Sequence, residues 1–178
     1  MTNTPGTPHR TSPRGPIPWM GGKSRLARRI LARFGEHECY CEPFAGGAHV
    51  FWAKERSKVE VLNDLDGHLL NFYRVVQRAP RRLARLVAAM PHSRALWNRL
   101  KGRPPYWRLP LYQHNFADAD HSALAEALRR LQGAFVMSYN DVPPIRKLYA
   151  WATVEETAVV YATRKDRTRP GAELLITP

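Results

Sequence analysis

Between Gly67 and Ala117 the chain has no aspartate or glutamate. The same stretch holds Arg74, Arg78, Arg81, Arg82, Arg85, Arg94, Arg99, Lys101, Arg103 and Arg108. Over all 178 residues, 28 Lys and Arg stand against 15 Asp and Glu, a formal net charge of +13. Such an imbalance argues against a polycationic partner and for a polyanion, either nucleic acid or an anionic membrane surface. Two readings of the acid-free stretch stay open. It can be a solvated helix face, or a surface that tracks phosphates, which the lack of any neutralising acid favours.

Cysteine is nearly absent as well. Cys39 and Cys41 are the only two, too few for a disulfide framework. With His37 they suggest a metal site, but the Cys-x-x-Cys spacing and a second ligand pair are missing, so no metal is expected. Both thiols are expected to be buried at the start of a strand. No run approaches the ~20 apolar residues of a membrane span, and the N-terminus has no apolar signal core. A cytoplasmic protein without a membrane partner is expected, and a monomer.

The length suits one domain with a real core. Residues 1–15, rich in Thr, Pro, Gly and Ser, are expected to form a disordered tail, leaving 16–178 as a single domain. Leu26, Ile30, Leu31 and Phe34 mark an amphipathic helix from Ser24 that stops near Gly35. Strands are predicted at Tyr40–Phe44, Val59–Leu62, Ala134–Met137, Val154–Ala162 and Glu173–Ile176. Helices are predicted after Gly47 with Val50, Phe51 and Trp52 inward, and over about Gly67–Gln77, Pro80–Ala89 and Asp118–Leu131. Helix-like residues also follow Pro144. Alternation of this kind predicts an α/β sheet with crossover connections.

Three segments carry chemistry. In Trp19-Met20-Gly21-Gly22-Lys23-Ser24, two glycines before a lysine at a helix start let backbone amides and an ammonium approach a carboxylate or phosphate. A nucleotide P-loop is excluded, because Ile17 stands where its first glycine is required and no strand precedes it. Glu42-Pro43-Phe44-Ala45-Gly46-Gly47 is a strand leading through a glycine turn into a helix, the place where open α/β sheets bind nucleotide-like ligands; it can also be a simple tight turn. Asp64 ends the next strand, where an acid can accept from ribose hydroxyls or cap a helix.

In this order the segments resemble the Dam-type (D12 class, alpha-group) DNA adenine N6-methyltransferases. The resemblance rests on Trp-x-Gly-Gly-Lys at 19–23, Glu-Pro-Phe-x-Gly-Gly at 42–47 and Asn63-Asp64. It continues with Pro104-Pro105-Tyr106, Ser138-Tyr139-Asn140-Asp141, Ile145-Arg146-x-Leu148-Tyr149 and Glu173–Ile176. It implies a Rossmann-like sheet, S-adenosyl-L-methionine as cofactor and DNA as partner. By resemblance Trp19 and Lys23 contact the methionine part of the cofactor. Gly46 and Gly47 admit it to the turn beside Phe44, and Asp64 binds its ribose. Arg78, Arg81, Arg82 and Arg85 are the candidate DNA contacts. An Asp carboxylate and the carbonyl of the following Pro would accept the N–H hydrogens of an extruded adenine, with the Tyr ring stacked on the base.

Here that Asp is Arg103. A guanidinium only donates and is always charged, so it cannot accept from the adenine amine. Facing a sulfonium ~5 Å away at an effective dielectric near 20, it repels by about 3 kcal/mol. Leu96 to Gly102 does not read as the apolar strand expected before this motif, and the target-recognition segment is missing. An internal deletion joining about Leu100–Gly102 to Pro104 accounts for both and leaves the sheet incomplete. Three functions remain: an adenine-specific DNA methyltransferase, as in restriction-modification systems, with turnover impaired at Arg103; a non-catalytic nucleic-acid-binding protein; or a decayed mobile-element remnant.

Overall fold

A computed structural model describes residues 15–19, 21–101, 116–162 and 168–178. The fold is mixed α/β. A 3₁₀ turn at Lys23–Arg25 leads into α1 (Ala27–Leu31), followed by β1 (Cys39–Glu42), α2 (His49–Ala53), β2 (Val59–Leu62) and α3 (Gly67–Arg78). Then come α4 (Pro80–Ala88), α5 (Arg94–Lys101), α6 (Asp118–Arg129), β3 (Met137–Asn140), α7 (Pro143–Leu148), β4 (Thr153–Ala162) and β5 (Thr168–Thr177). The chain divides into two compact units. The first comprises residues 1–40, 47–60 and 132–178, the second residues 41–46 and 61–131.

β1 and β2 form a two-stranded sheet. Val59 N–H donates to Glu38 O and Asn63 N–H to Glu42 O, both at 2.9 Å. The bonds step the same way along both strands, so the pair is parallel, with α2 as its crossover. The other sheet has the order β3-β5-β4 and is antiparallel throughout. A single crossover sheet was expected; among the described residues the strands fall into these two separate sheets. β4 and β5 pair along their whole length, from Thr153 opposite Thr177 to Ala162 opposite Thr168, as adjacent strands joined by a short connection do. The strand predicted at Ala134–Met137 begins only at Met137, because pairing of Met137 with Ile176 sets where the ladder starts. Residues 94–101, where no buried strand was expected, form α5.

In the first unit Leu26, Ala27, Ile30, Tyr40, Val50, Val159 and Leu175 make one apolar cluster, with Leu31, Phe34, Phe51, Ala53 and Val136 against it. Full burial of each large apolar side chain stabilises the fold by roughly 1.5–3 kcal/mol. As the middle strand, β5 buries Glu173, Leu174, Leu175 and Ile176 in succession. Cys39 and Cys41 are exposed, against expectation. On a strand with a two-residue period it is the intervening Tyr40 that faces inward, packed edge-on to Phe34 at 5.7 Å with Lys54 Nζ 4.5 Å over its ring.

In the second unit Asp66 starts α3, its carboxylate accepting from the amides of His68 and Leu69. Leu69 and Tyr73 form the buried side of α3. α4 follows at once with Pro80 in its first turn and has no buried residue.

Candidate functional site

The turn after β1 is tied to the end of β2 within the second unit. Ala45 N–H donates to Asn63 O at 2.8 Å, and Asn63 Nδ2 donates to Pro43 O at 3.0 Å. Gly46 has φ 48°, the left-handed region that glycine adopts without cost. Its N–H donates to Asp64 Oδ2 at 2.9 Å, while Asp64 Oδ1 accepts from Asp66 N–H at 3.0 Å. The helix cap is therefore Asp66, and Asp64 instead braces the glycine turn. Each carboxylate oxygen takes one backbone amide, and a carboxylate offers about four acceptor sites, so capacity remains for hydroxyl donors. The Tyr73 hydroxyl donates to Gly46 O at 2.6 Å. Burial, then the nearby Glu42 and Asp64 carboxylates, pushes its pKa up, which keeps the hydroxyl protonated as a donor. The Phe44 ring is 55% exposed and meets Phe116 edge-on at 5.3 Å.

The first unit holds the other glycine motif. Gly21 has φ 70° and Gly22 N–H donates to Trp19 O at 3.1 Å, closing a tight turn that delivers Lys23 to the helical start. Lys23 Nζ lies 3.3 Å from Oε1 of the buried Glu173, and its side chain is 33% exposed. Glu173 is paired across the sheet with Thr157 and with Asn140. Arg29 donates to the Thr157 hydroxyl, so the first helical turns bring two cations to the neighbouring Thr157 and Glu173 of the sheet. Gly47 lies against Trp19 and His49, and Ala48 beside it is left-handed at φ 48° and fully buried.

The four candidate DNA contacts sit at the end of α3 (Arg78) and on α4 (Arg81, Arg82, Arg85), and all are exposed. Among the described residues no acid forms an ion pair with any of them. Arg103, Pro104, Pro105 and Tyr106 lie outside the described residues. Asp141, a candidate for a substitute acceptor, is gripped in a fork by Arg146 Nε and Nη2, both at 2.6 Å. That pairing holds the Asp141 carboxyl below the usual range.

Sequence reasoning missed three contributors: Tyr73, Glu173 as the partner of Lys23, and His49. Tyr73 follows Leu69 by four residues on one helix face, a readable signal of burial. The other two make contacts 150 and 34 residues away, which no local pattern displays.

The family model for D12 class N6 adenine-specific DNA methyltransferases matches residues 19–109, just over half of the chain. The chain belongs to this family. The D12 match runs from Trp19 through both glycine turns, Asn63-Asp64 and the basic helices, past Tyr106. A 60-residue segment, 34% of the chain, is 37% identical to the DNA N-6-adenine-methyltransferase of Escherichia phage P1. The segment corresponds to 8% of that phage protein's length.

Proposed function

We propose that this chain binds S-adenosyl-L-methionine and DNA as a site-specific adenine N6-methyltransferase domain, with methyl transfer suppressed by Arg103. The observation that carries the reading is the Asp64 carboxylate at the end of β2, bonded to the Gly46 amide of the turn after β1. In a Rossmann-like sheet this is the place of a nucleotide-type ligand, and we take β1-α2-β2 as its opening unit.

The residues fit such a cofactor chemically. Asp64 keeps acceptor capacity for ribose hydroxyls, the Phe44 ring offers an apolar face to adenine, and the turn at Gly46 presents bare backbone. Lys23 has three N–H donors, of which Glu173 takes one among the described residues; another can meet the cofactor's carboxylate beside Trp19. Gly47, without a Cβ, lets the Trp19 and His49 side chains close against the turn. When bound, the cofactor supplies a sulfonium methyl that passes to N6 of adenine, leaving a thioether while the amine loses a proton. The carbonyl of Pro104 accepts one N–H of that amine and Tyr106 stacks on the base. Arg103 supplies no second acceptor, and losing one such partner costs about 3–4 kcal/mol at the transition state. Arg78, Arg81, Arg82 and Arg85 hold DNA phosphates.

Arg103 also favours a second reading, a chain that keeps cofactor and nucleic acid binding without turnover. Calorimetry with S-adenosyl-L-methionine tests what the two share. The wild type should bind, and Lys23→Ala and Asp64→Ala should each bind at least about tenfold more weakly, the effect of one lost charged hydrogen bond. Equal binding by all three proteins would overturn the assignment. Radiolabelled methyl transfer to unmethylated DNA then separates the readings, since label in adenine excludes the second.

A further inference from the structure

His49 opens α2 immediately behind the glycine turn and is 9% exposed. Its ring lies against three glycines, its near neighbour Gly47 and the distant Gly15 and Gly22. Nδ1 accepts the N–H of Gly15 at 3.1 Å, so the proton of the neutral ring resides on Nε2. A Cβ placed on Gly15 would lie 2.2 Å from the Gly47 carbonyl oxygen and 2.9 Å from His49 Nδ1. One placed on Gly22 would lie 2.4 Å and 2.5 Å from Cδ2 and Nε2 of the same ring. On Gly47 it would meet Trp19 Cβ at 2.7 Å and His49 Nε2 at 2.8 Å. No side chain fits at these three positions while the imidazole stays in place. A buried group that only filled space would carry no polar atoms, because polar atoms cost desolvation unless bonded. Here Nδ1 is bonded to the backbone of Gly15, which itself lies against the Gly47 carbonyl.

We propose that His49 is a positioning residue for the cofactor cradle. Its ring is the wedge that pins Gly15 and Gly22 beside Gly47 and so positions Trp19 and Lys23, the residues that flank them. The inference rests on the cofactor reading above. Nδ1 holds Gly15 by its amide, and the rest of the ring fixes the separation of Gly22 from Gly47. Affinity for the cofactor therefore depends on a side chain that need not touch it.

Three variants test this. His49→Phe keeps the ring and removes the acceptor. His49→Asn puts an amide oxygen near the position of Nδ1. Gly15→Ala keeps the imidazole chemically intact but forces the Gly15 backbone away from the Gly47 carbonyl and from Nδ1. Each is compared with the wild type by amide hydrogen exchange at Gly15 and Gly22, and by calorimetry with S-adenosyl-L-methionine well below its melting temperature. His49→Phe and Gly15→Ala should speed exchange at Gly15 and weaken binding about tenfold, the effect of one buried hydrogen bond. His49→Asn should restore protection at Gly15 and part of the affinity. Wild-type binding in folded His49→Phe and Gly15→Ala would overturn the inference and leave the cofactor reading standing. So would a loss of affinity that follows melting temperature with no change at Gly15. A wild type that binds no cofactor would overturn the cofactor reading, and the positioning role with it.

Discussion

The two units differ in how far positive charge is paired within the fold. In the first, cations are matched: Lys23 with Glu173, Arg33 with Glu155, Lys54 with Glu60, and Arg146 with Asp141 and Glu156. In the second, Arg130 pairs with Glu126 on α6, but Arg74, Arg78, Arg81, Arg82, Arg85, Arg94 and Arg99 of α3 to α5 are exposed, and among the described residues none of these seven has an ion-paired acid. Matched charges fix a structure, since each has its counter-ion within the fold. Unmatched ones repel one another and persist where an outside polyanion completes them. Under the proposed function, the unpaired arginines of α3 and α4 are the ones left for DNA.

The sharpest test concerns Arg103, which by the proposed reading stands at the acceptor position of the Pro104-Pro105-Tyr106 motif. Arg103→Asp should raise methyl transfer to DNA by about two to three orders of magnitude, the equivalent of ~3–4 kcal/mol restored to the transition state. A variant no faster than the wild type in the radiolabel assay would show that the defect lies elsewhere. Next in size, Arg81, Arg82 and Arg85 replaced together by Gln should weaken DNA binding by roughly 10- to 100-fold near 0.15 M salt. They should also flatten the slope of log K against log salt by about 3. The same change at the matched Arg33 and Arg146 should leave that slope alone, and fluorescence anisotropy across a salt series reads both. Glu173→Gln removes a buried counter-ion. Full burial of both partners would cost about 3–5 kcal/mol; with Lys23 a third exposed, about 2 kcal/mol and a melting point lower by ~4–8 °C are expected.

The smallest effect is acidic. Arg146 holds the Asp141 carboxyl below its ordinary pKa, so this pairing stabilises the native state above the unfolded value near 4 and is lost as pH falls through the lower native value. Arg146→Gln should therefore lower the melting temperature slightly at pH 6 and converge with the wild type toward pH 2. A constant offset down to pH 2 would mean that Arg146 stabilises by packing alone.

Local sequence signals located most elements. β2 lies where Val59–Leu62 predicted it, and α3 and α4 end within a residue of expectation, because the Asp66 cap and Pro80 act on their own neighbours. Alternation around Cys39, Tyr40 and Cys41 showed that one side faces the core without showing which, and the choice fell wrong. β3 was displaced because its start is decided by pairing with Ile176, not by the apolar run Ala134–Val136. Asp64 was legible as a residue at the turn, but its role as brace depends on Gly46, 18 positions earlier. His49 was illegible for the same reason, and the glycines that accommodate it read equally well as ligand space.

The tie between Lys23 and Glu173 spans 150 positions, which has a consequence for synthesis on the ribosome. The Lys23–Glu173 pair, and the packing of Leu26, Ala27 and Ile30 with Val159 and Leu175, cannot form until those positions have emerged, so this apolar face waits uncovered while the chain between is made. Contacts closed over such distances also slow the search for the native state. Slower elongation or lower temperature during expression should therefore help yield less than a chaperone that shields the waiting segment.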